Sequence, residues 1–416
     1  MNATIQRLQS PLHGSLQVPG DKSITHRALL LAALAKGESR IGGLLRSRDC
    51  EATRSCLQAL GVRIVDDGDD AVIVRGVGLG GLRKPLSPID CVRSATTIRL
   101  LAGILCGQRF SSVLTGDAQL LRRPMDRIVK PLSAMGAKIM DSDGHAPLRI
   151  SGGGLRGLTH RLAVASAQLK SAILLAGLFA RGRTTVYQQG PARDHTERLL
   201  ATIGAAIRIE GLKVSIEPPE CLSPFSLQVP GDISSAAFPL VAALLLPGSQ
   251  IRILSVGLNP TRTGLLDVLI DMGARIEIEN RRVEGDEPVG DLTIRSSELV
   301  GTTIGGNSVV RMIDEFPIFA VAAVHARGRT TVKDAGELRV KETDRISAVT
   351  SELKMLGARI EELPNGFSVT GGERLHGGHV DSHRDHRLAM ALAVAGMLAD
   401  GEVTVRDAEY AADSYP

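Results

Sequence analysis

Aromatic side chains are scarce in this sequence: of 416 residues seven are Phe and three Tyr, and Trp is absent. That scarcity argues against modules that grip nucleic acid by stacking bases on aromatic rings. The five cysteines, Cys50, Cys56, Cys91, Cys106 and Cys221, are odd in number and contain no C-x-x-C pair. Neither a disulfide framework nor a thiolate zinc site follows, and reduced, mostly buried thiols are expected. No apolar run reaches the roughly 18 residues of a membrane span, and the N-terminal segment MNATIQRLQSPLHGSLQVPG holds no signal-peptide core. A soluble cytoplasmic protein is expected. The net charge of +4 is mildly basic, and no block of about five or more like charges marks a nucleic-acid arm.

What the chain has in quantity is apolar aliphatic material, with 43% hydrophobic and 23% charged residues, both ordinary globular values. At 416 residues it exceeds one ordinary core, since domains commonly run roughly 100–200 residues, so two or more are expected. The core has to be filled by Ala, Leu, Ile and Val. Six runs supply them: HRALLLAALAKG, IRLLAGILCG, SAILLAGLFARG, AAFPLVAALLLPG, FPIFAVAAVHARG and LAMALAVAGMLADG. They end at Gly37, Gly107, Gly182, Gly248, Gly328 and Gly401, each suited to a helix C′ position, and strand-like segments such as RTTVYQQG follow. A second, more polar helix then closes at Gly61, Gly136, Gly204, Gly273 or Gly357. The unit reads β-α-β-α-β-β and recurs about every 70 residues, longer than the roughly 20–50 of solenoid repeats. Its first helix is apolar on all sides and must be buried.

A larger duplication overlies the six units. Val18-Pro19-Gly20-Asp21-Lys22-Ser23 returns as Val229-Pro230-Gly231-Asp232-Ile233-Ser234, which divides the units three and three. The last unit stops without its final strands, and the segment before Pro19 is a strand pair without a helix, so the N-terminus is expected to complete the last unit. One discontinuous domain, residues 1–19 plus 230–416, and one continuous domain, residues 20–229, are expected. The crossings near 19–20 and 229–231 form a natural hinge.

Unusual polar residues gather just before the apolar helices, where free N–H groups and partial positive charge favour anions. Lys22, Ser23 and Arg27 precede the first; Arg93, Ser94, Ala95 and Thr96 open the second; Ser166, Ala167 and Gln168 open the third. Asp314 and Glu315 open the fifth, and Asp385, His386 and Arg387 the sixth. Because Ile233 stands where the first copy of the duplicated junction has Lys22, that junction is structural twice and chemical once. Two loop clusters add to this, Arg122-Arg123-Pro124-Met125-Asp126-Arg127 and Arg339 through Arg345. In the second, Lys341 and Arg345 are expected to share a helix face with Glu342 beside them. Charged runs of this kind are usually solvated helix faces, but few other places in the chain hold this much polarity. His376, His379, His383 and His386 have spacing that suggests a metal, but Gly377-Gly378 interrupts any common face, so loop or edge histidines are expected. Gly20-Asp21-Lys22-Ser23 lacks the spacing of a nucleotide phosphate loop.

Taken together, Pro19 through Arg27, Arg123-Pro124-Met125, Ser166 through Ser171, Arg193-Asp194-His195-Thr196-Glu197-Arg198, Asp314-Glu315-Phe316-Pro317, Arg339 through Arg345 and Asp385-His386-Arg387 resemble the 5-enolpyruvylshikimate-3-phosphate synthase family. The resemblance runs in order along the whole chain. It implies an α+β fold of two inside-out α/β barrel domains, each of three β-α-β-α-β-β repeats in pseudo-threefold arrangement, that close on substrate. It also implies transfer of the enolpyruvyl group of phosphoenolpyruvate to the 5-hydroxyl of shikimate 3-phosphate, with phosphate released through a tetrahedral intermediate. Two phosphates and two carboxylates put about −5 to −6 of charge at the site, so many cations are required. By resemblance, Lys22, Ser23, Arg27, Ser166, Ala167, Gln168, Arg193, Asp314 and Lys341 hold shikimate 3-phosphate. Lys22, Ala95, Arg123, Gln168, Arg345, His386 and Arg387 hold phosphoenolpyruvate. Asp314 serves the 5-hydroxyl, and Glu342 with Lys22 moves the proton at the methylene carbon. No metal or organic cofactor is implied, because side chains and helix ends supply the charge stabilisation. A monomer is expected, without nucleic-acid or membrane partners.

The sequence departs from the family pattern in two places. Val92-Arg93-Ser94-Ala95-Thr96 stands where the family usually has Gly-Asn-Ser/Ala-Gly-Thr. The Ala95 methyl is expected to narrow the phosphoenolpyruvate pocket and disfavour the longer inhibitor glyphosate. Asp413 stands where many relatives have a lysine, so one cationic contact is missing there, and the sequence ends soon after. Two alternative readings compete. One is the sister transferase acting on UDP-N-acetylglucosamine, whose reactive cysteine has no counterpart in Thr115 through Arg123. The other is a non-catalytic small-anion-binding relative, which the retained Lys22, Asp314 and Glu342 oppose.

Overall fold

The computed structural model describes residues 1–416 as a mixed α/β chain of six open sheets, five of four strands and one of three. No closed barrel is formed among them. Two compact units separate. The first is Gly20–Val229 with Glu284–Glu287, and the second is Met1–Pro19, Pro230–Val283 and Pro288–Pro416. Each has its own apolar core.

Sheet topology in the first unit follows one plan. Two repeats run strand, apolar helix, strand, polar helix and hairpin. The first of these takes Ile89–Asp90, Ala95–Cys106, Ser111–Thr115, Asp126–Ala134, Lys138–Ser142 and His145–Ser151. Its opening strand pairs in parallel with the one after the apolar helix, and the hairpin joins that strand antiparallel. The repeat built on helix Lys22–Leu34 borrows its opening strand from the far end of the unit. Ser226–Gln228 pairs in parallel with Lys36–Gly42, Ser226 against Arg40.

The second unit repeats this device with the N-terminus, which corrects one expectation. Ala3–Ile5 does complete the last sheet, antiparallel to Asp400–Arg406. His13–Gln17 instead pairs in parallel with Gln250–Gly257, in the sheet that follows helix Ile233–Leu245. The two duplicated junctions therefore have equivalent roles. Each lies just after the borrowed strand, so Pro19-Gly20 follows His13–Gln17 as Pro230-Gly231 follows Ser226–Gln228.

The apolar helices are Lys22–Leu34, Ala95–Cys106, Ala167–Gly177, Ile233–Leu245, Phe316–His325 and His386–Leu398. All six are buried along nearly their whole length, as sequences without a polar face require. Each fully buried Leu or Ile contributes roughly 1.5–3 kcal/mol. Small residues set their separation. A Cβ on Gly103 would come within 2.3 Å of the Ala172 carbonyl oxygen, so Ala95–Cys106 and Ala167–Gly177 touch backbone to backbone. In the second unit Phe316, Phe319 and Phe367 meet edge to face at 6.2 and 6.3 Å, which concentrates three of the seven phenylalanines in one place.

Helix ends divide into two types. The polar helices stop at C′ glycines with positive φ, from +86° at Gly204 to +103° at Gly136. Five of the six apolar helices end before their glycines, and only Ala95–Cys106 has its glycine, Gly107, as C-cap. Helix Lys22–Leu34 leaves through Ala35 at ψ 160°, and Gly37 lies within the next strand, because the chain goes straight from helix to sheet. Gly107 takes an ordinary φ of −83°. Cys50, Cys56, Cys91 and Cys106 are buried free thiols, and Cys221 is exposed.

Candidate active site

Five of the six apolar helices begin with a side-chain N-cap, and the expected polar residues follow these caps. Asp21 accepts from the Ile24 N–H at 2.9 Å, Ser94 from Thr97 at 3.2 Å and Ser166 from Leu169 at 3.4 Å. Asp232 accepts from Ser234, and Asp385 from Arg387 and Leu388, at 2.8–3.4 Å. Phe316–His325 opens on Glu315 without such a cap. Each cap bonds one or two of the four first-turn N–H donors.

In the first unit one group centres on Arg27, which is 3% exposed. Its guanidinium donates to Thr196 Oγ1 at 2.7 Å, Ser171 Oγ at 2.9 Å and the Ser23 carbonyl at 2.9 Å. Arg193 Nη1 reaches Ser23 Oγ at 3.3 Å. Lys22 Nζ lies 3.4 Å from Asp49 Oδ2, with both side chains largely covered. Below them Lys170 forms a fully buried ion pair with Glu197 at 2.5 Å and donates to the Ala192 carbonyl at 3.1 Å. Lys22, Ser23, Arg27 and Arg193 are thus brought together. Thr196, Ser171 and Asp49 were not singled out in the sequence, although Thr196 and Ser171 lie inside motifs that were.

A second group in this unit lies where the second and third apolar helices begin. Gln168 Nε2 donates to Thr96 Oγ1 at 2.9 Å and Gln168 Oε1 accepts from Arg99 Nη1 at 2.6 Å, while Arg99 Nη2 holds the Pro124 carbonyl at 3.0 Å. Arg99 therefore ties Gln168 to the chain beside Arg123. In the sequence it stands inside the apolar run IRLLAGILCG, with nothing nearby to mark a polar role. Ala95 is 5% exposed at the first position of its helix. Arg93 bonds Gln119, with Nε to Oε1 at 2.8 Å, and approaches Asp117 at 3.5 Å. Ser166 and Ala167 are half-buried at the start of the third helix.

In the second unit Asp314 is surrounded by cations. Lys341 Nζ lies 3.4 Å and Arg345 Nη1 3.3 Å from its Oδ1, and Arg387 Nη2 is 3.9 Å from Oδ2. Arg345, 2% exposed, also bonds Glu342 at 2.8 Å and Asp385 at 2.7 Å. Burial alone would lower the pKa of Arg345, but Asp385, Glu342 and Asp314 outweigh it and hold the guanidinium above its ordinary value. His386 is buried beside Arg387 at the start of the sixth helix.

Two sequence expectations change here. Lys341 and Arg345 do not share a helix face. Gly336–Val340 is a 3-10 turn, Lys341 is extended and the next helix starts only at Arg345, yet both cations converge on Asp314. The run is not a solvated face either, since Arg345 is buried. Asp385, which the sequence offered only as the start of a helix, joins two jobs as N-cap and as carboxylate partner of Arg345. Asp413 is buried in the Ala408–Asp413 3-10 turn that packs on the sixth apolar helix. The spaced histidines diverge. His383 Nε2 pairs with Glu352 at 2.8 Å, His376 is exposed on a strand, and no three His, Cys, Asp or Glu side chains converge as a metal site would need.

A family model described as EPSP synthase (3-phosphoshikimate 1-carboxyvinyltransferase) matches residues 6–416. A 3-phosphoshikimate 1-carboxyvinyltransferase from Syntrophotalea carbinolica is 50% identical over 407 residues, 97% of this chain and 94% of its own length. One from Salinibacter ruber is 49% identical and covers 100% of this chain and 97% of itself. Among solved structures, an EPSP synthase from Acinetobacter baumannii is similar at a TM-score of 0.89 with 41% identity, covering 100% of this chain and 96% of its own.

Proposed function

The chain belongs to the EPSP synthase family, and from that premise we propose how its residues divide the work of carrying the enolpyruvyl group from phosphoenolpyruvate to shikimate 3-phosphate. The protein is a transferase of the shikimate pathway. The observation that carries the division of labour is Asp314. It is a carboxylate held within 3.4 Å of both Lys341 and Arg345, which supports a site where an acceptor for a hydroxyl proton and cations for an anionic substrate lie together.

Shikimate 3-phosphate is held by Ser23, Arg27, Ser166, Ala167, Gln168, Arg193 and Lys341, with Lys22 and Asp314 touching it as well. Phosphoenolpyruvate is held by Arg123, Gln168, Arg345, His386 and Arg387, beside Lys22 and Ala95. At an effective dielectric near 20 each close ion pair is worth roughly 4 kcal/mol before desolvation. Several are therefore needed for a substrate pair this anionic. Asp314 takes the proton of the 5-hydroxyl as its oxygen bonds to C2 of phosphoenolpyruvate, and Glu342 or Lys22 supplies a proton to the methylene carbon C3. In elimination the group that protonated C3 takes a proton back, the C2–C3 double bond returns as the C2–O bond to phosphate breaks, and the phosphate leaves with the proton that Asp314 accepted. The buried, pre-paired guanidinium of Arg345 is suited to this, because it offers its charge without reorganising.

The same reading extends to the fold and setting. Each unit is one inside-out α/β barrel of three repeats, and the enzyme works as a cytoplasmic monomer on small-molecule substrates without a cofactor. At the duplicated junctions the chain crosses from one unit to the other between Pro19 and Gly20 and again between Val229 and Pro230. Phosphate release measured with shikimate 3-phosphate and phosphoenolpyruvate together tests the function. Turnover that needs both, and that falls by about a hundredfold or more in Asp314→Ala, is expected. Absence of phosphate release from the native chain overturns the reading. Release with UDP-N-acetylglucosamine in place of shikimate 3-phosphate does the same.

A further inference from the structure

Strands Arg275–Glu284 and Glu287–Arg295 form a hairpin whose turn, Gly285-Asp286, has positive φ at both positions, +55° and +66°. This is the tight two-residue geometry of a type I′ turn. Turn tips are ordinarily solvated, yet Glu284–Glu287 belongs to the compact first unit, and Glu287 is 1% exposed. Three contacts fix it there. Gly285 packs against Leu227, whose Cδ1 a Cβ there would approach to 2.2 Å, and its φ of +55° favours glycine. The Asp286 carbonyl accepts from Arg198 Nη1 at 2.8 Å. Glu287 Oε1 meets His195 Nδ1 at 2.6 Å, with both side chains about 1% exposed.

Burying a carboxylate costs several kcal/mol before pairing, and a buried ion pair is weak evidence for stability as such. Its location suggests a different purpose. His195 opens the helix His195–Thr202, two residues after Arg193 and one before Thr196. Arg193 reaches Ser23, and Thr196 receives the Nε of Arg27. Glu197, next in line, holds Lys170. The start of this short helix thus aims two of the guanidiniums assigned to shikimate 3-phosphate. Its own N-cap residue, Asp194, makes no side-chain cap bond and instead pairs with Arg198 at 3.0 Å. The turn is thus one support of this helix start, beside Lys170, which holds Glu197 and the Ala192 carbonyl.

We propose that Glu287 is a positioning residue for shikimate 3-phosphate. Its carboxylate accepts from His195 Nδ1–H, fixes the imidazole and with it the backbone that presents Arg193 and Thr196. This rests on the functional reading above, in which Arg193 and Arg27 bind that substrate. No proton leaves the pair during turnover.

The test is steady-state kinetics of the full-length enzyme, with each substrate varied in turn. Glu287→Ala is expected to raise KM for shikimate 3-phosphate about tenfold and to leave kcat and KM for phosphoenolpyruvate within about twofold, since misplacing a binding group acts on the substrate it touches. Glu287→Gln keeps an acceptor for Nδ1–H and should recover KM to within about threefold. Asp286→Asn, which keeps the turn and its carbonyl, should behave as the native chain. If the alanine variant does not fold, Glu287→Asp, which withdraws the carboxylate by one methylene, should raise the same KM about threefold or more. A native KM for shikimate 3-phosphate in Glu287→Ala or Glu287→Asp overturns the proposal. So does an equal rise in both KM values, the mark of a merely structural role. Native turnover measured in parallel separates the two ideas, because failure there overturns the functional reading itself, whatever the variants do.

Discussion

Val92 places a β-branched side chain at φ +53°, where the family pattern has glycine, in the turn that leads into helix Ala95–Cys106. The left-handed region costs an L-residue roughly 1–2 kcal/mol, and glycine gives back about 0.5–1 kcal/mol as chain entropy. Val92 is 39% exposed, so little packing is lost with it. Val92→Gly should therefore stabilise the protein by about 0.5–1 kcal/mol in denaturant unfolding. Ala95, at the start of the same helix and only 5% exposed, carries the selectivity expectation. Ala95→Gly should lower the inhibition constant for glyphosate while KM for phosphoenolpyruvate changes less. An unchanged inhibition constant would dispose of the pocket-narrowing idea. His26 sets a pH limit. Burial first, then the charges of Lys22 and Arg27, push its pKa down to about 3, and its Nδ1 lies 2.7 Å from Thr53 Oγ1. The unfolded chain takes up this proton near pH 6.5 and the folded one only near pH 3, so the stability it confers is complete above 6.5 and drains away as pH falls. The slope from this residue is about 1.4 kcal/mol per pH unit. Unfolding free energies at pH 4–6 should flatten by that amount per unit in His26→Leu.

At the scale of elements, the start of the sixth apolar helix is where fold and chemistry share one side chain. Asp385 caps the helix and neutralises Arg345, so removing it costs on two counts. Asp385→Ala should cost about 3–5 kcal/mol, whereas Asp385→Asn, an equally good cap, should restore about 1 kcal/mol. Thermal and urea unfolding of the pair would separate the two roles. Equal losses in both variants would mean that the cap contributes nothing. Helix starts of this kind were readable from sequence because polar, cation-rich segments and apolar runs follow one another along the chain, whereas the N-caps themselves were not read there. The six buried helices and the C′ glycines after the polar ones were readable for the same reason. What escaped was non-local. His13–Gln17 pairs with a strand more than two hundred residues away, and nothing in its own sequence distinguishes that sheet from the last one. Arg99 stands inside an apolar run, and only partners distant in sequence, Gln168 and Pro124, give it a polar task. Lys341 and Arg345 were correctly grouped but wrongly put on one helix, because i,i+4 spacing also fits an extended residue followed by a helix start.

At the scale of the whole molecule, the low aromatic content is consistent with six apolar helices packed by small and aliphatic side chains. The net charge of +4 says little about the site, because its cations are already balanced in part by Asp49, Asp314, Glu342 and Asp385. Those six helices also act as a clock. A helix solvated on one face can lose its amide hydrogens by local fraying, but one enclosed on every side exchanges only when its surroundings open. Amides in the central turns of Lys22–Leu34, Ala95–Cys106 and Ala167–Gly177 should therefore exchange with deuterium at one common, slowest rate. Those of Ile233–Leu245, Phe316–His325 and His386–Leu398 should share another. Mass spectrometry that finds these helices exchanging as fast as the polar Arg48–Ala59 would contradict their enclosure. If the two groups differ in rate, the slower one identifies which unit is still folded when the other first comes apart.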